Sequence, residues 1–567
     1  MLAVRAFRNM MRAVVRDPLW AVSTLILRAV HGGRHLLISL VAAVLVGLVL
    51  FALVAFGLEA IGWQKTWLHA AGNIAVVGIV LWLFARTLTG LMVASFADPG
   101  DGTTHGTARF ATDREIAALA RGETGLLVGR DPKSGRPIRY DGPAHLLTMA
   151  PTRTGKGVGT LIPNLLTADR SVICIDPKGE NAGVTGRARD RFGKVHILDP
   201  FGVTGLPSAA FNPLGDLDPD GLDVAEDAAT LADALVYDPP GEAGEAHWNE
   251  EAKALIGGLI LHVAAEESRE RRTLGSLREA LTLAPDAFTA LLGRMQRSAA
   301  ANGLVARAAN RHLAKSDREA AGVLSAAQRH THFLDSPRMT TVMARSDFAF
   351  TDLKRRTATI FLVLPPDRLS TYARWLRLIL SRSLTDMARA PEKPASPVLY
   401  LLDEFAALGR LDPVERAMGL MAGYGLQLWP ILQDVHQLRA TYGQRAGTFL
   451  SNAGVLQVFG VNDHDSARLV SDLLGQETVV FQTMSRALDA EASGITLGEQ
   501  RVGRPLLTPD EVRNLPQDGE LLFLAGQRPV LARKLRYYAD REFAGLFDLP
   551  DTSSPASSLA TSRILAG

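Results

Sequence analysis

Lys156 stands in the run APTRTGKG, Ala150–Gly157, behind a β-rich segment and ahead of a helical one. A strand, a glycine-containing loop and a helix start, in that order, surround a phosphate with backbone N–H groups, and the helix dipole favours its charge. The regular spacing G-x-x-x-x-G-K-[ST] is broken twice. Ala150 stands where the first glycine belongs, and Gly157 replaces the hydroxyl residue that ordinarily meets Mg2+. A second cluster supplies acids. VLYLLDEFAALG, from Val398 to Gly409, ends an apolar run on Asp403 and Glu404. At a strand tip such a pair brings one carboxylate to a metal and the other to an attacking water; the rival reading is a cap of the next helix. Gln433 closes LQLWPILQ, the next strand-like run, where it is placed to sense or orient a terminal phosphate or that water.

These side chains need a sheet to hold them. AHLLTMA precedes the loop, SVICID and KVHILD follow it, and ATIFLVLP, PVLYLLDE, LQLWPILQ and GVLQVFG come much later. Near-continuous apolar runs of this length are those of parallel strands covered on both faces, which predicts an α/β fold. Between 216 and 335 the strand pattern stops, and alanine and leucine recur at helical spacing. An all-α insert between two parts of one sheet accounts for most of the 247 positions separating Lys156 from Asp403. The insert's charge is polarised, with twelve acids and no Lys or Arg from Asp216 to Glu251, against Arg307, Arg311, Lys315 and Arg318 on one helical face. Each charged stretch is either a solvated face or a dock for a charged partner.

Net charge is only +2, yet residues 1–35 hold six arginines against Asp17. The remaining body is therefore slightly acidic, which restricts any nucleic-acid contact to a local groove. Cys174 is the only cysteine, so no internal disulfide exists. Residues 36–58 carry no charge and 74–96 only Arg86; each is long enough to cross a bilayer. The arginine-rich end then lies inside, residues 59–73 outside, and the body inside again; residues 1–34 suit an interfacial amphipathic helix. The expected divisions are 1–97 as a membrane anchor with two transmembrane helices, 98–215 and 336–545 as two parts of a nucleotide-binding domain, 216–335 as the insert, and 546–567 as a Ser/Ala-rich disordered tail. His330 and His332 lack further His or Cys at zinc spacing and read as structural. NDHDS, Asn462–Ser466, reads as a helix start with its cap.

HGTARFAT, APTRTGKGVGTLIPNLL, SVICIDPKGEN, FNPL, LLDEFAALG, ILQDVHQL and DHDSARLVSDLLGQET follow one another between the apolar spans and about Tyr538. In these blocks the chain resembles the type IV secretion coupling proteins of the VirD4/TraG kind. The resemblance implies a P-loop (RecA-like) ATPase of the bacterial inner membrane, multi-pass, with the bulk of the chain cytoplasmic. It implies recruitment of a relaxase–DNA complex or an effector protein and its delivery to the secretion channel. Single-stranded DNA, channel components and other copies in a homo-hexamer are the implied partners, and ATP and Mg2+ the implied cofactors. The VirD4-like branch carries lysine–glycine at the loop, so Gly157 is no mark of a dead site. Carried over by residue, Thr152, Arg153, Thr154, Gly155, Lys156, Gly157, Val158 and Gly159 form the phosphate loop, with Lys156 on the β- and γ-phosphates. Asp403 becomes the metal-linked acid and Glu404 the catalytic base, while Asp176, Lys178 and Glu180 border the site. Magnesium is left to water and Asp403, with Thr160 a weaker candidate. The chain departs from relatives in its short outer link, and in having no arginine in GLMAGYGLQL, where some related ring ATPases place an arginine finger. Arg153, Arg410 and Arg416 are the substitutes. Two alternatives stay open, a nucleotide-gated docking adaptor without motor activity and a DNA pump of the related FtsK type.

Overall fold

The seven apolar runs read as strands from the sequence are strands in the computed structural model, which describes residues 2–19, 22, 41, 45–53, 56–57, 66–96, 104–237, 246–486 and 495–549. Two short strands come first, β1 (Leu126–Arg130) and β2 (Pro137–Tyr140). Then follow β3 (His145–Met149), β4 (Val172–Asp176), β5 (Lys194–Leu198), β6 (Ala358–Val363), β7 (Val398–Leu402), β8 (Leu426–Leu432) and β9 (Ala453–Val458). A two-stranded sheet of β10 (Gln476–Arg486) and β11 (Ile495–Pro505) precedes β12 (Gly519–Leu524) and β13 (Val530–Arg533). The main sheet has eleven strands in the order β2-β1-β13-β12-β9-β3-β8-β7-β4-β6-β5. From β9 to β5 all neighbours are parallel; from β2 to β9 they are antiparallel. The C-terminal ends of the parallel strands therefore share one edge, the place where open α/β sheets bind ligands. β8 lies between β3 and β7, so the loop after β3 and the acids after β7 stand one strand apart on that edge.

The described residues divide into two compact units, Met1–Thr107 with Gln476–Arg504, and Ala108–Gly475 with Pro505–Gly567. In the second, the described part of 216–335 is helical and holds no strand, its longest helices being Val224–Leu235, Ala246–Glu266 and Asp317–Thr331. Their apolar side chains join those of the sheet in a single core: Leu231, Leu255 and Ile256 belong with Trp375 and Ile379 of helix Pro366–Arg389 and with Tyr400 of β7. The expected opposition of acidic and basic faces resolves differently from a free docking surface. Arg311 donates twice to the Glu251 carboxylate, at 2.7 and 3.0 Å, and Lys315 lies 2.8 Å from it. Arg307 donates to the Asn302 carbonyl at 3.1 Å. Helix Leu304–Leu313 packs on Ala246–Glu266, which brings Arg311, with Lys315 just beyond it, onto the single carboxylate of Glu251. Arg318 alone of the four stays exposed without a partner among the described residues.

The ordered chain runs past the expected start of the tail. Leu546 and Phe547 pack on Leu535, Tyr537 and Phe543, and Asp548 pairs with Arg187 at 2.8 Å; the rest of the tail, 550–567, lies outside the described residues. In the first unit, helix Thr66–Phe96 contains a 21-residue apolar stretch, Ala70–Gly90. At 1.5 Å per residue it is about 31 Å long, the thickness of a bilayer's hydrocarbon. Helix Leu2–Arg16 packs on its far end, Ala6 against Met92 and Val93. Of the other expected span, 36–58, the described residues, 41, 45–53 and 56–57, are helical, and the rest lie outside the described residues.

Candidate nucleotide site

β3 is buried along its whole length and its pairing with β8 continues to Ala150, whose N–H donates to the Leu432 carbonyl at 2.8 Å. The chain then leaves the sheet. The Thr154 hydroxyl donates back to the Pro151 carbonyl at 2.6 Å, and Arg153 (φ 64°) and Gly155 (φ 96°) take left-handed angles. At Gly155 any side chain would be strained. Gly157–Leu161 forms one wide helical turn, continued by helix Ile162–Thr167, so the loop's N–H groups stand at a helix start without partners in that helix.

Lys156 reaches across β8 to the tip of β7. Its Nζ donates to Glu404 Oε1 and lies 3.1 Å from Asp403 Oδ1. Glu404 adopts left-handed angles (φ 49°, ψ 39°) while its N–H donates to Asp403 Oδ1 at 2.9 Å, a tight turn that presents both carboxylates to one ammonium. Gln433, just past β8, donates from Nε2 to Glu404 Oε2 at 3.1 Å. Lys156, Asp403, Glu404 and Gln433 are thus one polar cluster at the C-terminal ends of β3, β7 and β8. Burial pushes the Asp403 pKa up, with Lys156 pulling the other way. Burial also works to lower the Lys156 pKa, but Asp403 and Glu404 outweigh it and hold it above the usual lysine value. The acidic pair is not merely a helix cap: a single-turn 3-10 helix, Phe405–Leu408, follows it with no side-chain cap. That turn is braced from helix Pro366–Arg389, where buried Arg377 donates to the Leu408 and Arg410 carbonyls at 2.9 and 2.6 Å and lies 4.0 Å from the Tyr237 ring centre.

Asp176 ends β4, the neighbour of β7, and accepts from the Ala182 N–H at 2.8 Å; burial pushes its pKa up to about 7 against that bond. Lys178, Thr152 and Arg153 are exposed, and Val158 is half-buried. Thr160 is fully buried, its hydroxyl donating to Gln457 Oε1 at 3.1 Å in the core. Among the arginine substitutes, Arg410 pairs with Asp412 at 2.8 Å, and Arg416, like Arg153, is exposed.

Sequence reading missed the polar centre beneath the loop. The Gln457 amide accepts from Thr148 (2.8 Å) as well as Thr160, and donates to the Val128 carbonyl (3.2 Å) and Glu520 Oε2 (2.8 Å). A saturated amide of this kind ties β1, β3, β9 and β12 to the turn after the phosphate loop. The available signal was a lone Gln in GVLQVFG and a lone Glu in GELLFL, polar residues in otherwise apolar strands.

A glycine–lysine loop after β3, an acidic pair after β7 and one strand between them define a P-loop nucleotide-binding protein of the RecA-like type. Residues 103–562 match the family described as Type IV secretory system Conjugative DNA transfer, and the chain belongs to that family, the coupling proteins of type IV secretion and conjugation. The conjugal transfer protein TraG of Escherichia coli is 29% identical over 537 residues, covering 84% of this chain and 82% of TraG. VirD4 of Agrobacterium fabrum is 30% identical over 438 residues, covering 72% of this chain and 62% of VirD4. Among solved structures, the plasmid coupling protein TrwB in complex with ADP and Mg2+ shares the fold, with a TM-score of 0.58, 20% identity, and coverage of 78% of this chain and 96% of TrwB.

Proposed function

We propose that this coupling protein binds and hydrolyses ATP, and uses the cycle to move a relaxase–DNA complex or an effector protein toward a secretion channel at the bacterial inner membrane. The observation that carries the reading is the Lys156 ammonium held between Asp403 and Glu404, with the Gln433 amide on the second carboxylate. A lysine on a phosphate loop that rests on acids is a site awaiting a stronger anion. Lys156 then leaves the carboxylates for the β- and γ-phosphates, and the N–H groups of Thr152–Gly159 take the oxygens, apart from those of Thr154 and Gly159, which donate to the Pro151 and Gly155 carbonyls. Asp403, buried and short of donors once Lys156 leaves, suits a divalent cation, and magnesium supplies neutralisation of the phosphate charge when bound. Glu404 is then freed to accept the proton of the attacking water, and Gln433 to orient it. Asp176 borders the site from β4, and Lys178 stands at its exposed rim.

The complexes of TrwB with ADP and Mg2+ and with a non-hydrolysable ATP analogue support this assignment of cofactors. The exposed apolar helix Thr66–Phe96, with Ile74, Leu81 and Trp82 all more than half exposed, supports a membrane anchor. Single-stranded DNA, channel components and a homo-hexameric ring follow from the family. Turnover of purified full-length protein, with and without single-stranded DNA, tests the motor reading against a docking adaptor. Glu404→Gln should keep nucleotide affinity and lose turnover by about 10²–10⁴-fold; wild-type turnover in that variant would remove Glu404 from the mechanism.

A further inference from the structure

The phosphate loop is gripped from outside by a segment remote in sequence. Residues 534–537, directly after β13, run along the loop and the turn that follows it. Lys534 Nζ donates to the Thr154 carbonyl at 2.8 Å and lies 5.0 Å from the Phe459 ring centre. The Lys534 N–H is itself fixed by the Asp518 carbonyl at 2.8 Å. One residue on, the Leu535 carbonyl lies so close to Gly159 that an added Cβ would come within 3.0 Å of it. Leu535 and Tyr537 are buried with Ile162 and Leu166 of the helix that continues the loop, and with Val184 and Ala188 of helix Glu180–Asp190. Gly460 (φ 66°) completes the grip, since a Cβ there would overlap the Thr154 side chain.

The direction of the Lys534 bond has a consequence for phosphate binding. Across a trans peptide the carbonyl of one residue and the N–H of the next point opposite ways, and the chain has no cis peptide bond among the described residues. With the Thr154 carbonyl turned to Lys534, the Gly155 N–H is turned away from it. No carboxylate lies within ion-pair distance of Lys534 among the described residues, and its ammonium hydrogen-bonds the loop.

We propose that Lys534 is a positioning residue of the nucleotide site, which, from the strap Lys534–Tyr537, holds the Thr154 carbonyl outward and so aims the Gly155 N–H at the phosphates. The proposal rests on the nucleotide-site reading above. The test uses full-length protein in detergent and compares Lys534→Met, which keeps chain length without the donor, with Lys534→Arg, which keeps a donor. A fluorescent ATP analogue measures affinity, steady-state turnover gives KM and kcat, and amide hydrogen exchange follows residues 150–160. Lys534→Met should weaken affinity and raise KM about tenfold, the loss of one charge-assisted hydrogen bond, with kcat changed less than KM. Exchange in 150–160 should rise while that of β3 and β7 holds, and Lys534→Arg should recover part of the affinity. Unchanged affinity and unchanged loop exchange in a folded Lys534→Met protein would overturn the proposal, as would a uniform rise in exchange across the sheet, which marks a structural role only. Failure of the wild-type protein to bind the analogue would instead sink the underlying nucleotide reading.

Discussion

Gly157 replaces the hydroxyl that most phosphate loops carry, and the structure separates two reasons a glycine might stand there. Its backbone is not left-handed, and an added Cβ would meet nothing within 4 Å. Neither conformation nor crowding therefore requires glycine at 157, in contrast to Gly155 with its φ of 96° and to Gly159 beneath the Leu535 carbonyl. Gly157→Ser should bind ATP at least as tightly as the wild type and should need less Mg2+, because the new hydroxyl offers the ion a ligand it otherwise lacks. A magnesium titration of nucleotide binding reads this directly. Loss of binding in folded Gly157→Ser protein would show that the open space is used by the nucleotide itself. Lys156, Asp403, Glu404 and Gln433 were legible in sequence because each follows an apolar run, so strand and side chain could be read together. Lys534 and Gln457 were not, since a single polar residue has no spacing to betray it and only the fold shows what it touches.

The same contrast holds for elements. The parallel strands β3, β4, β6, β7 and β8 are buried along their whole length, and burial leaves a near-continuous apolar run in the sequence, whereas β5, at the end of the sheet, is partly exposed. β2 and β13 have only four residues each and are partly exposed, and together with β1 they stand toward one end of the sheet among antiparallel neighbours, so their pattern sinks into the surrounding loops. β8 shows as a strand despite Pro430, which its central place would argue against. β12 was missed although fully central, because its second residue is Glu520. Burial pushes the Glu520 pKa up to about 8 from an ordinary 4.5, while Gln457 and Lys534 pull it down. The folded chain therefore keeps a proton on Glu520 that the unfolded chain releases from about pH 4.5. The stability this represents is complete below that pH and is lost as pH rises through about 8. Glu520→Gln has no proton to lose and still accepts from Gln457 Nε2. Its thermal midpoint should match or trail the wild type at pH 5 and exceed it by several degrees at pH 9. Melting curves that run parallel over this range would mean that Glu520 does not titrate there. Asp176, whose pKa also rises to about 7, is present in both proteins and cancels in the comparison.

At the scale of the whole chain, the number of membrane spans decides where everything else works. Helix Thr66–Phe96 is long and apolar enough for one crossing, with its apolar side chains exposed. With that crossing alone, the two ends of the anchor would face opposite sides, and six arginines in residues 1–35 would lie outside if the nucleotide-binding body lies inside. That arrangement opposes the bias of Lys and Arg toward the cytoplasmic side. A second crossing by 36–58, which carries no charge, returns both ends to the same side at no electrostatic cost. The segment between them, 59–65, is short enough to pass across with its single acid and single lysine. Reporter fusions after residue 34 and after residue 98 should therefore both report the cytoplasm, and a fusion near Gln64 should be exported. An exported reporter at 34 with a cytoplasmic one at 98 would leave a single span and place the arginines outside. An exported reporter at 98 would do more damage, since it would put Lys156, Asp403 and Glu404 where no ATP is supplied, and the proposed cycle would have nothing to run on.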